Sequence, residues 1–106
     1  MLQDRDRYSR LNGVYGALLT EKQREVLNFY LDMDLSLQEI SEKLGVSRQA
    51  VHDLIKRSLE QLSELENKLL FDKRLSRIKE AIMDLLEKSN FWDQERLKEL
   101  EELFSV

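Results

Sequence analysis

The chain has 106 residues, 42% apolar and 36% charged, and a formal net charge of −4. That length is one domain with a modest core, and the balance fits a water-facing helical protein rather than a disordered tail or a membrane span. The absence of cysteine removes disulfides, thiolate metal sites and cysteine nucleophiles together, and is compatible with a reducing cytoplasm.

Proline is absent and glycine stands only at positions 13, 16 and 45, so helices are expected throughout, in an all-α fold. The first segment spaces Tyr8, Leu11, Tyr15 and Leu18 by three and four residues, one face of an amphipathic helix. A second helix should start at Thr20, which forms a capping box with Gln23. Its broad apolar set, Val26, Leu27, Phe29, Tyr30 and Leu31, predicts a largely buried element ended by Asp32 and Asp34. Ser36 and Glu39 make a second capping box, with Leu35 placed to staple on Ile40, and the third helix runs from Leu37 to about Leu44. Gly45 stops it where a left-handed residue is wanted; Ser47 then caps a fourth helix, with Val46 and Val51 at staple spacing.

The fourth helix should be long, because Leu59, Leu62, Leu65 and Leu69 extend its stripe beyond a trihelical unit. The phase slips at "DKR", residues 72–74, where a break or kink is expected. Leu75, Ile78, Ile82 and Leu85 then restart a heptad-like stripe. Asp93 caps a last helix whose buried face is Leu97, Leu100 and Phe104, with Trp92 and Leu97 spaced as a staple. Trp92 is thus read as structural, a surface binding anchor being the other use of a tryptophan.

The segment "SLQEISEKLGVSRQAVHDLIKRS" carries the functional signal. A DNA-binding helix-turn-helix must bury Ile40, Leu44, Val46, Val51 and Leu54 and needs a small residue, Ser41, at the helix crossing; all are at the required spacing. The second helix then exposes Arg48, Gln49, His52, Asp53, Lys56 and Arg57. Arg48 suits guanine or phosphate, Gln49 suits adenine, and Lys56 and Arg57 suit phosphates. Ser47 can offer a hydroxyl and the helix N-terminus to a phosphate. The nucleic-acid-binding set is therefore Ser47, Arg48, Gln49, His52, Lys56 and Arg57. The plainer reading makes these residues the solvated side of an amphipathic helix; a local excess of two positive charges over Ser47 to Ser58 favours an anionic partner.

The surroundings oppose that partner. Leu19 to Leu44 carries three basic against six acidic residues, so binding to DNA or RNA should be weak and salt-dependent. A homodimer presenting two recognition helices would relieve the difficulty. The stripe from Leu59 to Leu85 can supply its seam, or the last helix can fold back and bury it, and both readings stand. The single histidine, His52, has no partner for a dyad or a metal site, and acidic pairs on charged helices are ordinarily a solvated face. No enzyme, metal or cofactor is expected. The N-terminal "MLQDRDRYSR" has no apolar run of an export signal, and no window approaches the ~20 apolar residues of a membrane helix. A cytoplasmic protein with no membrane insertion is expected.

Leu19 to Leu62 resembles region four of bacterial sigma factors, the promoter-reading helix-turn-helix. With "LNGVYGALLTEKQ", the "GVSRQAVHDLIKRS" core, the acidic helical tail and the overall length, the chain is similar throughout to the YlxM-type helix-turn-helix family of bacteria. The resemblance implies a winged-helix-like DNA-binding class without a wing, in a small cytoplasmic regulatory protein of the signal recognition particle pathway, with particle protein or RNA as partner. It places the motif on Ser47, Arg48, Gln49, Ala50 and Val51, completed by Ile55, Lys56 and Arg57, with His52 where an aromatic residue such as tyrosine is usual. The organisation expected is a single helical domain over 1–106: a helix-turn-helix unit at 19–62 and a helical extension at 63–106 for dimerisation or partner binding. The rival function is a protein-interaction module that binds a basic component of the targeting particle without using DNA.

Overall fold

In the computed structural model, which describes residues 4–89 and 93–104, every regular element is helical. The order is α1 (Arg5–Tyr15), a single 3-10 turn (Gly16–Leu18), α2 (Glu21–Leu27) widening into a π-type turn (Asn28–Asp32), α3 (Leu37–Leu44), α4 (Arg48–Leu69), α5 (Phe71–Ser89) and α6 (Gln94–Leu103). Two compact units result, residues 1–69 and residues 70–106.

In the first unit the expected caps set the joints. Thr20 Oγ1 accepts from the Gln23 N–H at 3.2 Å while Gln23 Oε1 accepts from the Thr20 N–H at 3.0 Å. The Ser36 and Glu39 box closes in the same way, both bonds at 3.1 Å. Each box satisfies backbone donors that a helix start otherwise leaves open, and so fixes where the helix begins. α2 ends differently. The Met33 N–H reaches the Asn28 carbonyl at 3.0 Å, a five-residue step, and the one extra residue per turn brings Tyr30 and Leu31 inward beside Val26 and Leu27.

The core is Leu11, Tyr15, Leu19, Val26, Leu27, Tyr30, Leu31, Ile40, Val51, Ile55, Leu59 and Leu62, which come from α1, α2, α3, α4 and the turns between them. α4 is its axis, since α1, α2 and α3 all pack on it. Burying each large aliphatic side chain stabilises the fold by roughly 1.5–3 kcal/mol. Two polar contacts tie remote parts of the chain to α4: the Tyr15 hydroxyl donates to Glu66 Oε1 at 2.8 Å inside the core, and Gln23 Nε2 donates to Gln61 Oε1 at 3.0 Å. At the other end of α1, Arg5 lies over the Tyr30 ring, donates to the Tyr30 carbonyl, and pairs with Asp34 at 3.0 Å.

Three expectations about burial need correction. Leu18 is exposed rather than on the buried face, because α1 ends at Tyr15 and the tighter 3-10 turn rotates the chain so that Leu19 goes inside. Val46 is 47% exposed rather than buried, while Val51 is fully enclosed. Phe29, Leu44 and Leu54 are half-buried, packed against the core rather than within it.

In the second unit neither α5 nor α6 contains a fully buried residue. The break before α5 falls at Leu70, earlier than the expected "DKR", where φ of 56° puts one residue in the left-handed region. α5 carries an Asp84–Lys88 pair at 3.0 Å, four residues apart. α6 is capped as expected, Asp93 Oδ1 accepting from the Arg96 N–H at 2.8 Å, but Leu97, Leu100 and Phe104 are half-buried rather than buried. The Trp92 staple lies outside the described residues.

Candidate nucleic-acid interface

The geometry of the α3–α4 joint follows from Gly45. Its φ of 67° reverses the chain, and its N–H and that of Val46 both bond to the Ser41 carbonyl, at 2.9 and 3.2 Å. This closes the end of α3 in the manner of a left-handed helix cap. Ser41, only 7% exposed, sits where the helices cross, its hydroxyl donating to the Gln38 carbonyl at 2.8 Å. Two residues after the glycine, Ser47 Oγ accepts from the Ala50 N–H at 3.0 Å and α4 begins. Ile40, Val51 and Ile55 lock the pair from inside, each 0% exposed.

With Val51 and Ile55 inward, the 100° step of a helix turns Gln49, Asp53, Lys56 and Arg57 outward, with Arg48 on the first turn. Among the described residues Arg48, Lys56 and Arg57 make no ion pair, so their charges remain available to an anion. Ser47 uses its oxygen as the cap acceptor and keeps its O–H as a donor. His52 is on the shoulder of this face and half-buried. The six residues named from the sequence therefore lie on one stretch of about three turns, but they are not equivalent.

Asp53 is the residue that sequence reasoning left out of the set. Its Oδ1 accepts from Gln49 Nε2 at 3.0 Å and stands 3.5 Å from His52 Nδ1. One carboxylate oxygen thus orients both side chains expected to meet bases, and it puts a negative charge between Arg48 and Lys56. The signal was present in the four-residue spacing of Gln49 and Asp53, a standard side-chain pair on a helix. Further along the same face stand Glu60 and Glu64, both exposed, so the positive surface is confined to the first part of α4.

Beside the reading face lies an apolar groove of about 450 Å³ lined by Lys22, Glu25, Leu44, Val46, Ala50, Leu54 and Arg57. It explains the exposure of Val46: the groove's wall is made by the turn, and no described element covers it. Among the described residues no cluster of three or more histidine, aspartate or glutamate side chains could hold a metal ion, and no helix is long and apolar enough to cross a membrane.

The chain matches over residues 2–103 the model of a family described as "Putative helix-turn-helix protein, YlxM / p13 like", designated UPF0122. Similar proteins carry the same designation. One from Clostridium botulinum is 49% identical over 86 residues, covering 81% of this chain and 79% of its own. One from Clostridium perfringens is 42% identical over 104 residues, covering 95% and 93%. One from Clostridium acetobutylicum is 42% identical over 87 residues, covering 82% and 75%. A match spanning almost the whole chain, on a fold whose capped α3 and α4 meet across a left-handed glycine, makes this protein a member of the UPF0122 family of YlxM/p13-like helix-turn-helix proteins.

Proposed function

We propose that the protein is a cytoplasmic regulatory protein that binds DNA or RNA through the first turns of α4, with Arg48, Lys56 and Arg57 on phosphates, Ser47 at the helix N-terminus, and Gln49 and His52 towards bases. The observation that carries this reading is the set of three exposed cations, Arg48, Lys56 and Arg57, without ion-pair partners among the described residues, presented on the recognition helix immediately after the Gly45 turn. The resemblance to the YlxM-type family extends it to the signal recognition particle pathway, with particle RNA as one candidate ligand. A dimer would double the reading heads and compensate for the acidic body.

The test is titration of labelled duplex DNA and of particle RNA at two salt concentrations. Three neutralised phosphates on duplex DNA give a salt slope of about −2.7, so raising salt from about 50 to 200 mM should weaken binding about forty-fold. Arg48→Ala and Lys56→Ala should each weaken binding and flatten that slope by about one unit. Binding that neither substitution changes would remove these residues from the interface.

A second reading rests on the uncovered groove at Val46 and on the acidic continuation of α4 at Glu60 and Glu64. Here the helix-turn-helix is a scaffold and the chain is a protein-interaction module for a basic component of the targeting particle. Capture of purified particle protein in the absence of RNA, lost on Val46→Glu but not on Arg48→Ala, would favour it over nucleic-acid binding.

A further inference from the structure

We infer that two copies of this chain associate by seating the acidic outer face of α6 from one copy on the basic first half of α5 in the other, reciprocally. The inference deepens the two-headed reading above, since it names the contact that supplies the second head.

The first half of α5 is an apolar strip with positive edges. Phe71, Leu75 and Ile78 are 48%, 39% and 50% exposed, at the three- and four-residue steps of a helix-packing seam. Arg74 and Lys79 flank that seam on its two sides, and both are exposed. A second α5 is a poorer occupant. In parallel register it sets the basic flanks against basic flanks, and like charges at those positions oppose association. In antiparallel register it lays them along the second half of α5, whose carboxylates Glu80, Asp84 and Glu87 stand on the side away from the seam.

The matching chemistry is on α6. Glu95, Glu99 and Glu102 fall on one face at steps of four and three, all exposed, opposite the half-buried Leu97, Leu100 and Phe104. Leu103 beside them is 78% exposed, and a concavity of about 290 Å³ is lined by Arg96, Glu99, Leu100 and Leu103. Among the described residues α6 does not pack closely along α5 within its own unit. The strip from Phe71 to Ile78 is roughly 12 Å long and the ten residues of α6 roughly 15 Å, so one α6 from another copy spans it. A two-fold pairing gives each copy one donor face and one acceptor strip, the self-complementary arrangement of a closed dimer.

Light scattering on the full chain tests this through charge reversal and mixing. The wild type should show twice its 12.7 kDa chain mass at concentrations of about 100 µM. Arg74→Glu with Lys79→Glu should return the mass to one chain, and so should Glu99→Lys with Glu102→Lys. An equimolar mixture of the two variants should restore the doubled mass, because both contacts in the mixed pair are again opposite in charge. A wild type that stays at one chain mass overturns the inference. So does a dimer that neither reversal weakens, or one restored only when all four substitutions sit in one chain, which would place the α5–α6 contact within a copy. A dimer that passes the mixing test but binds no duplex or particle RNA leaves this inference standing and removes the nucleic-acid reading instead. All substituted residues are exposed and retain good helix formers, and the mixing arm reports on variants that are folded.

Discussion

α4 and α5 are alike as sequences and unlike as structures. They have 22 and 19 residues, and each carries a stripe of aliphatic side chains at helical spacing. In α4 the stripe is a core: Val51, Ile55 and Leu62 are 0% exposed because α1, α2 and α3 converge on it. In α5 no residue is buried, and Ile78 and Leu85 are 50% and 67% exposed. A hydrophobic stripe states that a helix needs a neighbour; only the number and length of the other helices decide whether the neighbour is in the same chain. Residues 1–69 have three helices to cover α4, whereas residues 70–106 offer α5 one helix of ten residues.

Matched truncations should make this contrast quantitative and give the largest effect. Ile55→Ala removes a wholly enclosed side chain, and should lower unfolding stability in urea by about 2–5 kcal/mol. Ile78→Ala, at a dilution where copies are apart, should stay within about 0.5 kcal/mol of wild type. If copies pair as proposed, the Ile78→Ala penalty should grow at high protein concentration, because a bound copy would cover that side chain. Equal penalties at both positions in dilute solution would mean that α5 is covered within its own chain and would erase the distinction.

The joints of the two units differ too. Gly45 and Leu70 are both left-handed, with φ of 67° and 56°, but only one is glycine. No heavy atom stands within 4 Å of where a Gly45 side chain would begin, so Gly45→Ala is penalised by backbone strain alone, about 1–2 kcal/mol. That loss should appear in the thermal midpoint, and any nucleic-acid binding should weaken with it because the α3–α4 angle depends on this turn. Leu70→Gly runs the other way. It relieves comparable strain but adds about 0.4–1 kcal/mol of unfolded-chain entropy, so the net gain should lie between about 0 and 1.6 kcal/mol. A Gly45→Ala protein as stable as wild type would show that the turn tolerates another conformation.

These contrasts also mark what the sequence made legible. The boxes at Thr20 and Ser36, the stop at Gly45 and the cap at Asp93 depend on residues three or four apart, and each closes as local chemistry requires. Leu18 and the break before α5 fall elsewhere than expected because a 3-10 turn and one left-handed leucine, Leu70, shift helical phase without a composition signal. Nothing in the sequence sets Glu66 apart from the other carboxylates of α4; its bond to Tyr15 spans 51 positions and comes from the packing of α1 on α4. At the candidate interface the exposed cations followed from amphipathicity. The exposure of Val46 did not, because it depends on how far the half-buried Leu44 and Leu54 close the space beside the turn.

The smallest expected effect again separates the units, through pH. Glu39 occupies the third helical position of α3 and bonds back to Ser36, whereas the corresponding position of α6 is Arg96, which cannot make that return bond as an acceptor. The Ser36 backbone N–H and then its hydroxyl hold the Glu39 carboxyl below its ordinary value of 4.5, with a further lowering from Lys43. A carboxyl that ionises more readily in the folded chain contributes stability above its unfolded value, and loses it as pH falls through the lowered folded one. Glu39→Gln keeps an acceptor for the Ser36 N–H but removes the ionisation. Urea midpoints for wild type and Glu39→Gln should therefore differ most near neutral pH and converge as pH falls below 4.5. A gap that persists unchanged into acid would mean that Glu39 acts through the shape of its side chain rather than its charge, and that the α3 start relies on hydrogen-bond geometry alone.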